Sequence, residues 1–563
     1  MNKKNFLPFL ALAAIFVFSA CSGKLTPLSE QYIKAEPQPL EAIGGEVPVT
    51  INATFPAKWF NKNAVVTVTP VLRYATGETW GTSYTFQGEK VKANNQVVAY
   101  SSGGNATMRS KFEYKPAMKK SELFLTFEAK IKNKTVRLPD VKIAEGVIAT
   151  STFADAATAN PAIGADKFQR IIKEAYDANI MFLIQQAELR SRELNKDEVK
   201  EWKDIVQNAN EAPNQNVSVE VSAYASPDGG LKLNDALAER REGNTTRYVN
   251  TELKKRKIDV PVDARYTAQD WEGFQELVSK SNLQDKDLVL RVLSMYKDPE
   301  EREREIKNIS TVFKSLADEV LPQLRRSRLI ANIEIIGKSD EEIASLAKSD
   351  AGSLNIEELL YAATLTENEA EKETIYTKAS SIYSDDYRSW NNIGMQRFRS
   401  GDFTKAEEMF NKSNSVKNNS EANINLGLLA LLKGDKDKAQ QLFGSASDVP
   451  ELGEALGLLY LEQGDYARAV SSFAGTKSNN AALAQILTKD YSTAAQTLNQ
   501  VKNADAVTDY LKAVVAARTN DATGVVSNMK AAIGKDRTLA KEAAIDLEFA
   551  KYMNNSSFTD LLK

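Results

Sequence analysis

The sequence predicts a multidomain chain: an N-terminal β-sandwich, a central α/β domain and a C-terminal all-α solenoid of helix pairs. Three observations lead there. Period-two alternation of apolar residues fills residues 42–148. A strand, a helix, a second strand, a glycine-bearing turn and another helix follow one another through residues 178–255. Beyond residue 356 the apolar period becomes helical, and Gly-Asp turns recur at near-regular intervals. The 563 residues exceed what one core accommodates, and at roughly 100–200 residues per domain they predict three or four domains.

Composition narrows the function classes. Lys and Arg number 72 against 75 Asp and Glu, so the chain lacks the basic field that nucleic-acid binding requires. It contains no histidine, which removes His-based triads, HExxH metal sites and imidazole acid-base chemistry. No GxxxxGK[ST] loop and no GxGxxG after a strand occurs. An enzyme is therefore not expected, and no cofactor or catalytic metal is implied.

Lys3 and Lys4 precede the apolar run "FLPFLALAAIFVF", too short to span a bilayer, which closes on Ser19-Ala20-Cys21. Residues 1–20 read as a signal peptide, and the only cysteine stands where cleavage would fall. The arrangement resembles a bacterial lipobox, which implies a lipidated Cys21 at the mature N-terminus and an outer-membrane anchor. Phe18 departs from the commoner leucine. Surface lipoproteins of Bacteroidota-like bacteria often carry acidic residues after the cysteine, whereas here "CSGKLTPLS" follows; the periplasmic face is expected. Residues 21–41 form a tether.

In residues 42–148, "EVPVTINATF", "AVVTVTPVLRY", "SELFLTFEAKI" and "TVRLPDVKIA" alternate, punctuated by "QGEKVKANNQ" and "SSGGNAT". Antiparallel strands of a sandwich are predicted. Trp59, Phe60, Tyr74 and Trp80 are expected in core or edge packing.

Residues 149–177 are predicted to connect, with a helical stretch over Asp166–Asp177. "NIMFLIQQAELR" reads as a buried strand. "NKDEVKEWKDIVQNANEA" then places Val199, Trp202, Ile205 and Val206 on one helix face, with Asn195 as N-cap and Pro213 beyond its end. After "VSVEVSAY" comes the turn "ASPDGG" and the helix "LKLNDALAERRE". A strand "RLIANIEII" follows a charged insertion. This order, with the pattern N-x-x-L-x-x-R-R, resembles the OmpA-like, peptidoglycan-associated domain over residues 178–337, and its insertion is similar to that of a Bacteroidota subgroup.

The resemblance implies a ligand. In that family an aspartate after the second strand and an arginine on the next helix grip the ammonium and carboxylate of diaminopimelate in peptidoglycan. Carried over, the arginine is Arg241, Asn234 and Leu237 are framework positions, and the aspartate's place holds Ser226. A serine supplies no charge for the ammonium, and losing a charge-assisted bond costs on the order of 1–3 kcal/mol. Asp228 in the same turn offers a substitute carboxylate. Two readings stand: a retained clamp, or Arg240 and Arg241 as ordinary helix-surface charge.

Residues 338–355 are predicted as a linker, 356–553 as the repeat array and 554–563 as a tail. "WNNIG…SGDFTKAEEMF", "INLGLLALLKGDKDKAQQLF" and "EALGLLYLEQGDYARAVSSF" share a glycine in the first helix, Gly-Asp at the turn, and Ala then Phe in the second helix. Gly401, Gly434 and Gly464, with echoes at Lys489 and Asn520, are spaced by 33, 30, 25 and 31 residues, and the pattern resembles tetratricopeptide repeats. Gly394, Gly427 and Gly457 with Ala406, Ala439 and Ala469 should let paired helices approach, while Phe410, Phe443 and Phe473 fill the layers. Such an array implies a groove for a partner protein, with Asn391, Asn423, Asn425 and Tyr460 as groove candidates. The expected function is a lipid-anchored envelope scaffold that binds or lies against peptidoglycan and recruits a protein partner. The alternative is an assembly factor of a secretion, fimbrial or gliding apparatus that does not touch the wall.

Overall fold

The computed structural model describes residues 27–563 apart from 228, 284 and 309. Cys21, the signal segment and Asp228 lie outside the described residues. The chain forms two compact units: residues up to 165 join 376–563 in the first, and residues 166–375 are the second.

In the first unit, strands Ile33–Glu36, Glu46–Phe55 and Gly104–Glu113 make one antiparallel sheet. Lys134–Glu145, Ser121–Ile131, Ala64–Tyr74, Tyr84–Gly88 and Gln96–Val98 make a second, with Gly77–Trp80 pairing on Ala64–Tyr74. Alternation drives the pairing, because every second residue of Glu46–Phe55 is buried and meets Val66, Val68, Leu125 and Phe127 in one core. Gly104–Glu113 is a strand where "SSGGNAT" reads as punctuation. Its inward residues Ala106, Met108, Ser110 and Phe112 are separated by exposed polar ones, and glycine and asparagine mask that alternation. Phe60 is buried and Trp59 packs on the core, whereas Trp80 is exposed and donates to Glu78 at 3.2 Å.

Five helix pairs follow among the described residues: Tyr387–Arg399 with Phe403–Val416, Ser420–Leu432 with Lys436–Gly444, Leu452–Gln463 with Tyr466–Ser472, Asn479–Leu487 with Tyr491–Asn499, and Ala506–Arg518 with Ala522–Lys535. Each turn uses the same chemistry. Gly401, Gly434, Gly464, Lys489 and Asn520 take φ between 59° and 79°, and the aspartate that follows caps the second helix by accepting the N–H three residues on. A Cβ on Gly394, Gly427 or Gly457 would stand 2.6, 2.2 or 2.8 Å from Phe410, Phe443 or Phe473, so these glycines seat the phenylalanines. The expected tail is structured: Ser556–Thr559 is helical and Phe558 is buried in the array core.

The second unit is built on a four-stranded sheet ordered Ile171–Met181, Arg326–Ile336, Gln215–Tyr224, Val262–Thr267, parallel only in the last pairing. Helices Asp197–Glu211 and Leu231–Lys255 flank it, and Val199, Trp202, Val206, Val249 and Leu253 join the sheet's core. Instead of a helix over 166–177 there is a strand from Ile171, paired residue by residue with Arg326–Ile336. Residues 171–174 are largely exposed, so no alternation marks them. Nor does Asn195 cap the long helix: it ends the short helix Ser191–Leu194, and Lys196 holds the cap position without a side-chain bond. The insertion folds as helices Trp271–Lys280, Lys286–Met295, Pro299–Asn308 and Ser310–Glu319 with a core of their own. The expected linker contains the helix Asp340–Ser349, capped by Ser339.

Candidate functional site

Two places attract the functional residues, one in each unit. In the α/β unit, Ala225 N–H donates to Thr267 O and Asp270 N–H to Ala225 O, which fixes the turn after Gln215–Tyr224. Asn234 donates to Ser226 O at 2.9 Å and to Gly229 O at 2.8 Å, and Gln269 also donates to Gly229 O. A Cβ on Gly229 would meet Asn234 Oδ1 at 2.9 Å, so the close approach needs glycine. Arg325 Nε lies 3.4 Å from Ser226 Oγ. Pro227 lines a cavity of about 10 Å³ with Trp271, Phe274, Ile306, Leu316 and Leu321 of the insertion.

Arg241 points inward. Only 1% of it is exposed. Its Nε donates to Gln186 O at 2.9 Å, Nη1 to Tyr224 O at 2.8 Å and Nη2 to Leu183 O at 3.2 Å, and the guanidinium carbon stands 4.8 Å over the Phe182 ring. A planar fork with rigid donors suits three converging carbonyls, of which Leu183 O also accepts from Gln186 N–H. Arg240 is the exposed arginine of the pair, and its Nε donates to Ala236 O within the helix. Beside the turn, burial pushes the Asp270 carboxyl up, against the pull of the Gly273 N–H and Arg326.

In the other unit, the first helices of the pairs hold the chain's own segment 150–165. Asn480, Asn425 and Asn392 each clasp the N–H and C=O of one residue with both ends of the amide. Asn480 accepts from Asp155 N–H at 3.0 Å and donates to Asp155 O at 3.0 Å. Asn425 accepts from Ala162 N–H at 2.7 Å and donates to Ala162 O at 2.8 Å. Asn392 does the same for Gly164, at 2.8 and 2.9 Å. Asn391 adds a donor to Ala162 O at 2.9 Å and accepts from Asn425 at 3.0 Å. Asn160 donates to Glu454 at 2.9 Å, and Arg388 donates to Ala165 O at 3.1 Å. Ala156, Ala159 and Ala162 share the array's apolar core.

Of the four residues expected in the groove, Asn391 and Asn425 reach the segment. Asn423 instead accepts from Asn414 on the preceding helix and donates to Asn418 in the connecting turn. Tyr460 carries the Arg468 guanidinium at 4.6 Å over its ring. Sequence reasoning missed Asn392, Glu454, Asn480 and Arg388. One signal was available: "NIG" and "NLG" put Asn392 and Asn425 two residues before the glycines that seat the phenylalanines, a place on the first helix fixed by the pair's own packing.

Burial raises the carboxyls along this face. Glu454 is held above its ordinary range by burial, with Asn160 opposing. Glu462 is pushed up to about 7 by burial, Lys436 opposing and the charge of Asp155 adding to it. At the far end, Arg518 grips Glu548, which also accepts from Thr150, and Tyr510 donates to the buried Asp546 at 2.7 Å.

No family model matches the chain, and no curated protein matches it. Among solved structures, it is similar to a tetratricopeptide repeat protein from Parabacteroides merdae, at 16% identity over 40% of this chain and 89% of that one, with a TM-score of 0.27. It is similar to the Cut9-Hcn1 hetero-tetramer of the APC/C at 15% identity, covering 60% of this chain and 76% of that one, TM-score 0.28. A third is yeast Tom70, at 12% identity over 58% and 77%, TM-score 0.26. The repeat assignment rests on the helix pairs themselves. No helix among the described residues is long and apolar enough to cross a membrane.

Proposed function

We propose that this protein is a cell-envelope adaptor, held at the periplasmic face of the outer membrane by a lipid on Cys21, that recruits a protein partner through its repeats. The α/β unit, which resembles an OmpA-like domain, serves as a structural module of this adaptor and not as a grip on the wall peptide. One observation carries that choice: the Arg241 guanidinium is buried and engaged by three backbone carbonyls. Presenting it to a carboxylate would cost those bonds, each worth roughly 1.5–3 kcal/mol when the donor is charged.

Sedimentation with purified peptidoglycan and co-purification from native membranes test the proposal together. The adaptor is expected to stay in the supernatant and to bring down a protein partner. Retention on the wall by the wild type, lost in Asp228→Asn, would instead establish peptidoglycan binding through the turn carboxylate. Absence of any protein partner would remove the adaptor reading.

A further inference from the structure

The face formed by the first helices is a peptide site already filled by its own chain. Its three amide clasps contact main-chain atoms of Asp155, Ala162 and Gly164, with the 3-10 turn Ala156–Thr158 between the first two, and so select a backbone path without naming side chains. Selectivity comes from what must be small. Ala162 is fully buried, and a Cβ on Gly164 would stand 2.7 Å from Arg388 Cβ and 3.0 Å from Arg388 Cα. The asparagines are themselves buried, and an unpaired buried amide is costly, so the site demands an occupant that returns the same bonds.

We propose that residues 154–165 act as an intramolecular competitor, and that the partner enters by displacing them with a segment that follows the same backbone path, one 3-10 turn and then an extended stretch, bearing alanine or glycine in the same register. This rests on the adaptor reading and specifies the partner's chemistry: a main chain clasped at positions i, i+7 and i+9, with small residues at the last two. Tethering sets the threshold. A segment joined to its groove competes at an effective concentration of the order of mM, and a groove open about 1% of the time weakens apparent affinity about 100-fold.

The test uses the full chain and a fluorescent synthetic peptide of residues 153–166. Gly164→Phe drives the segment off Arg388, so this variant is expected to bind the peptide about 100-fold more tightly than the wild type, and adding Asn392→Ala and Asn425→Ala should abolish the gain. Equal binding by wild type and Gly164→Phe, or none by a folded Gly164→Phe, would overturn the proposal. Hydrogen exchange on the wild type decides independently of any variant. The amides of Ala162 and Gly164 should exchange faster than those inside Ser420–Leu432, because the segment opens alone; exchange only with global unfolding would make it a permanent strut and sink the idea. Peptide binding without a membrane partner would fail the adaptor reading and leave the site standing, whereas a partner captured without peptide binding would do the reverse.

Discussion

Arg241 shows how one residue type serves two chemistries at one position. An arginine on the helix after a glycine turn is what a carboxylate clamp needs, and equally what a fold needs when three carbonyls of the 183–224 region converge on one place. Arg241→Ala removes three charged donors and the stacking on Phe182; a loss of about 3–5 kcal/mol in the unfolding free energy of the α/β unit is expected from the loss of three hydrogen bonds to a charged group, and urea titration measures it. A loss below about 1 kcal/mol would mean that the carbonyls find water. Glu462 makes the pH-dependent case. Its folded carboxyl holds a proton up to about 7, against 4.5 ordinarily. The stabilisation is therefore complete below 4.5 and disappears as pH rises through 7. Glu462→Gln should leave stability unchanged near pH 4 and raise it at pH 8, by about 1–3 kcal/mol after allowing for solvent at the partly exposed carboxylate. Thermal melts at the two pH values check this, and an equal effect at both would refute it.

At the level of elements, legibility followed burial. "EVPVTINATF", "AVVTVTPVLRY" and "SELFLTFEAKI" coincide with strands because each buries one face and exposes the other. The strand Val262–Thr267 was unreadable for the same reason, since only its first residue is even half-buried. The helix pairs announced themselves through a steric rule, glycine opposite phenylalanine, that survives in sequence. Gly427→Ala should therefore destabilise the array by about 1–3 kcal/mol, the usual cost of overpacking, because the new methyl meets Phe443 Cε1 at 2.2 Å. Phe443→Leu costs stability in the wild type but should cost less in Gly427→Ala, where it relieves the clash. Four unfolding curves closing a double-mutant cycle measure this coupling, and strict additivity would show that the two side chains do not meet.

Across the whole molecule, residues 166–375 interrupt a unit whose two halves, up to residue 165 and from 376 onward, are far apart in sequence. No local pattern could reveal this: the segment 150–165 reads as a connector because it is short, alanine-rich and without period, and only the asparagines hundreds of positions later give it a place. The candidate groove was half legible for the same reason, its helices being local and its occupant not. The division has a thermodynamic consequence, since each apolar core lies wholly within one unit and cooperative unfolding follows packing and not sequence order. Calorimetry is expected to show two transitions. Arg241→Ala should lower one and leave the other, while Gly427→Ala should do the opposite; substitution of Ala162 by a bulky residue should move the same transition as Gly427→Ala, although position 162 lies far closer in sequence to the α/β unit than to the repeats. A single transition shifted by all three variants would contradict the division.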